Sequence, residues 1–150
     1  MNDNDFIRET FKLARSAVNN GNNPFGAILT KDGVVIERAE NTVNTSSDCT
    51  AHAEINLIRR AQTKLKTKDL TGYTLYASSE PCTMCAGAVY WANIDKVVFS
   101  CSTEKLREIA GKTIESDINN LLSDTSNNIE IMGPLLEDEG VEIHKEFWSK

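Results

Sequence analysis

The sequence predicts an α/β fold, a three-layer α/β/α sandwich in which a mixed five-stranded sheet lies between two layers of helices. Two observations lead to this prediction. Short segments rich in β-branched and aromatic residues alternate with longer segments whose apolar residues recur at helical spacing. The first two β-rich segments are joined by a hairpin turn, whereas the later ones are separated by helical segments. The chain has 150 residues, 40% of them hydrophobic, so we expect one domain over residues 1–150.

Polar and glycine-containing stretches divide the first half of the chain into elements. In chain order, the predicted elements are a helix over residues 3–18, strands over 27–30 and 34–38 with a turn at 31–33 between them, a polar loop over 41–49 and a helix over 51–62. Phe6, Ile7 and Phe11 belong to the apolar stripe that indicates the first helix. Thr50 is predicted to cap the second helix with its hydroxyl group.

The second half of the chain continues the alternation of strands and helices. In chain order, the predicted elements are a strand over 73–78, a helix from 81 to about 92, a strand over 96–100, a helix over 103–110, a weakly patterned segment over 117–122, a loop over 124–128, a short strand over 129–132 and a helix over 135–148. Pro81 suits the first position of its helix because its missing N–H would be unpaired there. Gly133 and Pro134 end the last strand, and Gly140 is expected to interrupt the last helix.

The charge balance bears on the partners of the protein. Asp and Glu outnumber Lys and Arg by 22 to 16, which gives a net charge of −6. Proteins that bind nucleic acid usually carry a basic surface, so this balance favours a small-molecule substrate over RNA or DNA. A local basic patch is interpreted as a solvated helix end; it consists of Arg59, Arg60, Lys64, Lys66 and Lys68. No apolar stretch approaches the roughly 20 residues of a membrane span, and no signal-peptide pattern is visible, so a cytoplasmic location is expected.

Two short strings carry most of the chemistry, His52-Ala53-Glu54 and the C-x-x-C pair Cys82 and Cys85 after Pro81. His52, Cys82 and Cys85 supply three zinc-ligand atoms, and a catalytic zinc site uses three, leaving the fourth position to water. The two cysteines share a helical face in a first turn, where the helix dipole stabilises thiolates. Glu54 can then take a proton from a water whose pKa the metal lowers towards ~7. The pattern therefore predicts a catalytic zinc centre.

Two other interpretations of the cysteines stay open. A C-x-x-C pair can be a redox centre, but such a pair normally stands without an H-x-E string upstream. A structural zinc site would need a fourth ligand, for which Cys49, Cys101 and His144 are available. Cys49 is the strongest of these because it lies close to His52 in the sequence. Cys101 is expected to be a buried small side chain, and His144 a surface residue of the last helix without a role.

With both strings placed, about residues 5–110 resemble the cytidine deaminase-like superfamily, whose zinc nucleobase deaminases share the H-x-E and P-C-x-x-C pattern. The resemblance runs through Pro24-Phe25-Gly26-Ala27, Asn41, residues 50–54, residues 79–88 and Tyr90-Trp91-Ala92. The Pro-Phe-Gly-Ala string and the Tyr-Trp pair are most similar to bacterial guanine deaminases. Residues 129–136 and 146–148 of the tail are more similar to the tRNA adenosine deaminases.

The resemblance implies a cytidine deaminase-like fold and a role for each matched residue. The implied roles are Zn²⁺ ligation by His52, Cys82 and Cys85, proton transfer by Glu54, recognition of the base by Asn41, pocket walls formed by Phe25 and Trp91, and a further substrate contact at Ala53. It implies hydrolysis of a C–N bond in a free nucleobase, with conversion of guanine to xanthine and ammonia as the first choice. It also implies a homodimer, in which C-terminal segments are exchanged between subunits as in guanine deaminases.

The chain departs from guanine deaminases after the zinc-binding helix. Those enzymes carry a Phe-Asp-Asp run there, of which one acid is thought to assist catalysis, whereas this chain has Gly-Lys-Thr-Ile-Glu at 111–115. Glu115 and Asp117 are candidates for that second acid. No Arg or Lys lies in the matched pocket motifs, so nucleotides are expected to be poor substrates. The alternatives that stay open are a tRNA adenosine deaminase, a deaminase of cytosine, a nucleoside or an aminotriazine, and a zinc-stabilised binding module.

Overall fold

The computed structural model describes residues 1–123 and 128–149. Its helices are α1 (Asp3–Asn19), α2 (Val43–Ser46), α3 (Ala53–Leu65), α4 (Thr83–Trp91), α5 (Thr103–Ala110), α6 (Ile118–Leu121) and α7 (Glu137–Trp148). Its strands are β1 (Gly26–Lys31), β2 (Val34–Glu40), β3 (Thr74–Ser79), β4 (Lys96–Cys101) and β5 (Glu130–Met132). None of the helices in these two ranges is long and apolar enough to span a lipid bilayer.

The strands of the described residues form one sheet in the order β2-β1-β3-β4-β5. β1 pairs antiparallel with β2 and with β3, whereas β4 pairs parallel with β3 and with β5. The mixed five-stranded sheet predicted from the sequence is therefore confirmed. Since β3 and β4 are parallel, their carboxyl ends lie side by side, with Ser79 opposite Cys101. The chain leaves both strands at this edge and enters α4 and α5, so two helix N-termini come together there.

Apolar side chains cover both faces of the sheet. On one face, Leu75 and Val97 pack with residues of α3 and α4, including Leu57. On the other face, the neighbouring strand residues Tyr76 and Val98 pack with α1 and α7. Successive strand residues point to opposite faces, so this division follows directly from the strand period of two. The result is the predicted three-layer arrangement, with helices on both sides of the sheet.

Two helix starts differ from the sequence predictions. α3 begins at Ala53 and its N-cap residue is His52, so the prediction that Thr50 caps this helix is wrong. The Thr50 hydroxyl instead donates a 2.7 Å hydrogen bond to Asp48 Oδ1 in the preceding turn. α4 begins at Thr83 with Cys82 as its N-cap residue, so Pro81 lies just before the helix and not at its first position. Both metal-ligand strings therefore cross a helix start, where backbone N–H groups are unpaired.

Other element boundaries also differ from the predictions. The short helix α2 lies within the predicted polar loop over 41–49, and the last helix begins at Glu137 instead of 135. α7 runs continuously through Gly140, so the predicted interruption is absent from this helix. Of the predicted loop over 124–128, residues 124–127 lie outside the described residues.

Gly140 allows α7 to pack closely on the sheet. A Cβ atom at this position would lie 3.2 Å from the Cβ of Ser100 on β4 and 3.3 Å from Phe11 on α1. Its missing side chain therefore brings the backbone of α7 close to both elements. The sequence suggested a helix break here because Gly has low intrinsic helix propensity, but tertiary packing outweighs that preference.

Candidate active site

The three predicted metal ligands lie together where α3 and α4 begin. His52 is the N-cap residue of α3, Cys82 is the N-cap residue of α4, and Cys85 lies in the first turn of α4. His52 Nδ1 lies 3.7 Å from the Sγ of Cys82 and 3.7 Å from the Sγ of Cys85. All three ligand atoms lie within 4.8 Å of one another. The fold thus brings one nitrogen and two sulfur donors to one point.

These distances fit a zinc ion. In a tetrahedral site with Zn–N ~2.0 Å and Zn–S ~2.3 Å, a nitrogen and a sulfur ligand are about 3.6 Å apart. Within the described residues, the cluster consists of these three donors. Cys49 lines the adjacent cavity but does not belong to the cluster. Cys101 is buried and its thiol donates to the carbonyl oxygen of Ser102, so neither cysteine closes the site. The donor set is that of an open, catalytic zinc site.

The local interactions of the two cysteines favour a negative charge at the site, which suits a cation. The pKa of Cys82 is lowered to about 4, because the Cys85 thiol and the His52 ring donate hydrogen bonds to its thiolate. The pKa of Cys85 is raised, because its thiol is held as the donor to Cys82 and is buried. One sulfur is therefore already a thiolate at neutral pH, and a bound metal ion deprotonates a coordinating thiol.

Glu54 lies beside the metal ligands without belonging to the donor cluster. It is buried in the first turn of α3, with 6% of its surface exposed. Burial raises its pKa to about 7, the Cys82 thiolate acts in the same direction, and His52 opposes them. A carboxyl group with a pKa near the working pH can both accept and release a proton. Glu54 is thus a carboxyl group that can accept and release a proton beside the metal site.

A cavity of about 430 Å³ opens onto the metal ligands and is lined by His52, Cys82 and Glu54. Phe25 and Asn41, two of the predicted substrate contacts, also line it. This volume falls in the range of small-molecule sites. The cavity therefore has room for a small heterocycle beside the metal and the carboxyl group.

Asn41 has a fixed orientation in this cavity. It is 2% exposed, and its Oδ1 accepts a 3.0 Å hydrogen bond from the backbone N–H of Val43. The acceptor side of the amide is thus already engaged by the protein, and the amide –NH₂ is the group left to meet a ligand. Asn41 therefore suits a ligand edge that presents an acceptor, such as a ring nitrogen or a carbonyl oxygen.

Four other predicted residues do not line the cavity. Trp91 is 77% exposed at the far end of α4 from the metal ligands, so the structure of the single chain does not support its predicted role as a pocket wall. Glu115 is exposed and pairs with Arg107 at 3.1 Å. Asp117 accepts the N–H of Asn119 as the cap of α6. Neither acid lines the cavity, and the fully buried side chain of Ala53 also lies outside the lining.

The loop between α5 and α6 forms a wall of the cavity, but through residues other than the two acids that the sequence analysis considered there. Lys112, Thr113, Ile114 and Ser116 line the cavity from this loop. Lys112 lies outside the matched pocket motifs, so the sequence analysis did not consider it as a basic side chain of the cavity. Glu80 binds the start of α5, the helix before this loop, and the start of α6, the helix after it.

The Glu80 carboxylate spans the two helices that flank this loop. Its Oε1 accepts the N–H of Thr103 at the start of α5 at 3.1 Å, and its Oε2 accepts the N–H of Ile118 at the start of α6 at 2.9 Å. Glu80 itself also lines the cavity and lies two residues before Cys82. The wall and the metal-binding segment are therefore tied together by one side chain.

α7 supplies a second wall that was not predicted. Trp148 lines the cavity, and His144 is buried against it with 1% of its surface exposed, so the prediction of a surface His144 is wrong. The two residues are four positions apart and share a helical face, a spacing that the sequence does show. Sequence spacing could not reveal that this face docks beside the metal site. In the structure of the single chain, α7 makes these contacts within its own chain, and the exchange of C-terminal segments between subunits stays a prediction.

We expect protein purified without added zinc to contain about one zinc ion per chain, measured by atomic emission, as three ligands and an open position require. Cys85→Ala should lose this zinc. Cys49→Ala is the matched control and should keep it, because Cys49 lies outside the donor cluster. Loss of zinc from Cys49→Ala would instead identify a closed structural site with four ligands.

The site geometry agrees with the comparison with known proteins. Residues 1–101 match the family model of the cytidine and deoxycytidylate deaminase zinc-binding region. A probable cytosine deaminase of Schizosaccharomyces pombe is 37% identical over 96% of this chain and 91% of its own length. The guanine deaminase of Bacillus subtilis is 47% identical over 66% of this chain and 64% of its own. The tRNA-specific adenosine deaminase of Agrobacterium fabrum is 37% identical over 97% of this chain and 93% of its own.

The fold agrees with a solved structure as well. A guanine deaminase from Nitrosomonas europaea superposes with a TM-score of 0.86 at 25% identity, over 97% of this chain and 84% of that one. The helix-flanked mixed sheet, the three-donor site and the family match point to the same conclusion. The chain belongs to the cytidine and deoxycytidylate deaminase family, with His52, Cys82 and Cys85 in its zinc-binding region, and is an enzyme of the deaminase type, a hydrolase acting on C–N bonds.

Proposed function

We propose that residues 1–150 act as one domain that hydrolytically deaminates a free nucleobase, with guanine as the first choice. The observation that carries this proposal is the 430 Å³ cavity in which a three-donor metal site, the buried Glu54 and the oriented amide of Asn41 face the same space. When bound, zinc supplies Lewis acidity that makes water a nucleophile at neutral pH. The bacterial guanine deaminases among the relatives support the choice of substrate.

Glu54 handles the protons of this reaction. Water adds to the ring carbon that bears the amino group, and Glu54 accepts the proton that the water loses. Glu54 delivers this proton to a ring nitrogen. It then takes the second proton from the added hydroxyl group and passes it to the departing amino group, which leaves as ammonia. For guanine the products are xanthine and ammonia, so the atoms of one water molecule are fully accounted for. A carboxyl group with a pKa of about 7 suits both directions of transfer.

Two features support binding of a flat base. The Phe25 ring supplies an apolar face to the cavity, and Asn41 offers its amide –NH₂ to an acceptor on the edge of the ring. A purine base such as guanine presents ring nitrogens and a carbonyl oxygen at its edge. Cytosine presents the same kinds of acceptor on a smaller ring. The similarity to the probable cytosine deaminase of Schizosaccharomyces pombe favours it as the second candidate.

An ammonia-release screen over free bases, nucleosides, nucleotides and aminotriazines tests the proposed function, with guanine expected to give the highest kcat/KM. Asn41→Ala should lower kcat/KM for the preferred base. The loss should correspond to about 1–3 kcal/mol of activation free energy, the usual penalty for an unmet buried polar partner. Monophosphates belong in the screen because Lys112 lines the cavity. A preference for cytidine or a monophosphate would refute the guanine assignment, and absence of ammonia from every compound would favour a zinc-stabilised binding module.

A tRNA adenosine deaminase is the other enzymatic candidate, favoured by the relatives with that activity and by the sequence of the tail. The net charge of −6 opposes it, because tRNA binding draws on basic surface. We expect no micromolar binding of tRNA at physiological salt in a gel-retention assay. Binding accompanied by conversion of the wobble adenosine to inosine would replace the nucleobase proposal.

We further propose that the enzyme is a homodimer through the exposed side of α4. Trp91 and Met84 on this helix are 77% and 38% exposed, and Leu121 on α6, which packs against α4, is 43% exposed. Met84 and Trp91 lie seven positions apart and so share one face of α4, and exposed large apolar side chains on one surface are typical of protein interfaces. Sedimentation analysis should give twice the mass of the 16.6 kDa chain.

A further inference from the structure

His144 connects three parts of the molecule that meet at the cavity. Its Nε2 lies 2.7 Å from the hydroxyl oxygen of Ser79, the last residue of β3. Its Nδ1 accepts a 3.1 Å hydrogen bond from the indole N–H of Trp148. Its ring lies 5.2 Å from the ring of Phe25, measured between centroids. Phe25 and Trp148 both line the cavity, and Ser79 lies three residues before the metal ligand Cys82.

The hydrogen bonds determine the protonation of the imidazole ring. An indole N–H can only donate, so Nδ1 of His144 must be an unprotonated acceptor. Burial lowers the pKa of His144 to about 4, which leaves the ring neutral at physiological pH. The single ring proton is therefore on Nε2, and Nε2–H donates to the Ser79 oxygen. The two nitrogens of His144 thus have separate partners, since Nδ1 holds Trp148 and Nε2 holds Ser79.

We infer that His144 is a positioning residue that fixes the Trp148 indole as a wall of the cavity and thereby determines which bases bind. The inference rests on the proposed deaminase function, which it deepens by naming a determinant of substrate selectivity. His144 does not line the cavity itself, so it acts through Trp148 and through its ring contact with Phe25. Its bond to Ser79 connects this wall to the strand that leads into the metal-binding segment.

A matched pair of variants separates the two bonds. In His144→Asn, the amide oxygen is as many bonds from the backbone as Nδ1, so it can still accept from Trp148, but the donor to Ser79 is lost. In His144→Gln, the amide –NH₂ corresponds to Nε2 and can still donate to Ser79, but the acceptor for Trp148 is lost. A His144 that merely fills the core would be affected alike by both substitutions.

The first measurement is independent of activity. Trp91 and Trp148 are the two tryptophans, and Trp91 is exposed outside the cavity, so Trp91→Phe leaves Trp148 as the reporter. In that background, His144→Gln should shift the tryptophan emission to longer wavelength and increase acrylamide quenching. His144→Asn should resemble the parent. Equal spectra and quenching for all three proteins would overturn the inference, whether or not guanine is the substrate.

The second measurement is steady-state kinetics on the preferred base of the ammonia screen. His144→Gln should raise KM about tenfold with little change in kcat, and should reduce the preference for that base over the others. Trp148→Phe keeps an aromatic ring but lacks the N–H, so it should show the same KM increase without any change at the buried His144. Unchanged KM and selectivity in Trp148→Phe, or equal losses in both His144 variants, would overturn the inference.

Discussion

Glu54→Gln is expected to reduce ammonia release at least ~10²-fold while the protein keeps its fold and about one zinc per chain. The amide has nearly the same size and shape as the carboxylate, so the buried first turn of α3 can accommodate it. It cannot take the proton of the attacking water, and it cannot return that proton to the substrate. The measurement is kcat on the preferred base, with zinc content and thermal unfolding measured on the same preparation.

Glu115→Gln is the matched control for this experiment, because it removes a carboxylate of the same kind outside the cavity. Its activity should stay close to that of the parent. Near-normal turnover in Glu54→Gln would show that Glu54 is not the proton-transfer group. A large loss in Glu115→Gln would instead restore the sequence-based hypothesis of a second acid in this loop.

Gly26→Ala should lower the free energy of unfolding by about 2–4 kcal/mol, as expected for an added methyl group in a closely packed position. Gly26 begins β1 beneath α1, and a Cβ atom there would lie 2.6 Å from the Cβ of Leu13 and 2.8 Å from the backbone nitrogen of Ala14. The backbone oxygen of Thr10 also obstructs this Cβ, so two of the obstructing atoms belong to the helix backbone and α1 or β1 must move. Such a shift would also strain the 3.0 Å hydrogen bond from the Gly26 N–H to the Ser78 hydroxyl.

Gly87→Ala is the control for the stability measurement. A Cβ at Gly87, inside α4, would have no heavy atom within 4 Å among the groups it could meet. Since Ala is the better helix former by roughly 1 kcal/mol, this variant should be as stable as the parent or more stable. Urea unfolding measures the change in the free energy of unfolding for each variant relative to the parent, and an unchanged m-value shows that only stability differs. A Gly26→Ala protein as stable as Gly87→Ala would show that α1 does not press on β1.

The fold and the metal site could be predicted from the sequence because both rest on local patterns. The spacing of apolar residues, the turn residues and the two ligand strings are short-range signals. From them, the sequence analysis predicted that His52, Cys82 and Cys85 lie together. The walls of the cavity depend on long-range docking, which leaves no such signal. Trp91 resembled a pocket residue by its motif, yet it lies on the exposed end of α4. His144 resembled a surface residue by its helix pattern, yet the docking of α7 buries it beside Ser79.

The residues that line the cavity come from two stretches of the chain, one before and one after residue 101, where the family match ends. The metal ligands, Glu54 and Asn41 all precede residue 101, whereas the loop wall at 112–116 and Trp148 follow it. The catalytic groups and much of the substrate-selecting surface therefore occupy separate stretches of the gene. Under the proposed function, we expect substitutions in the second stretch to alter which base binds while the metal ligands and Glu54 are retained.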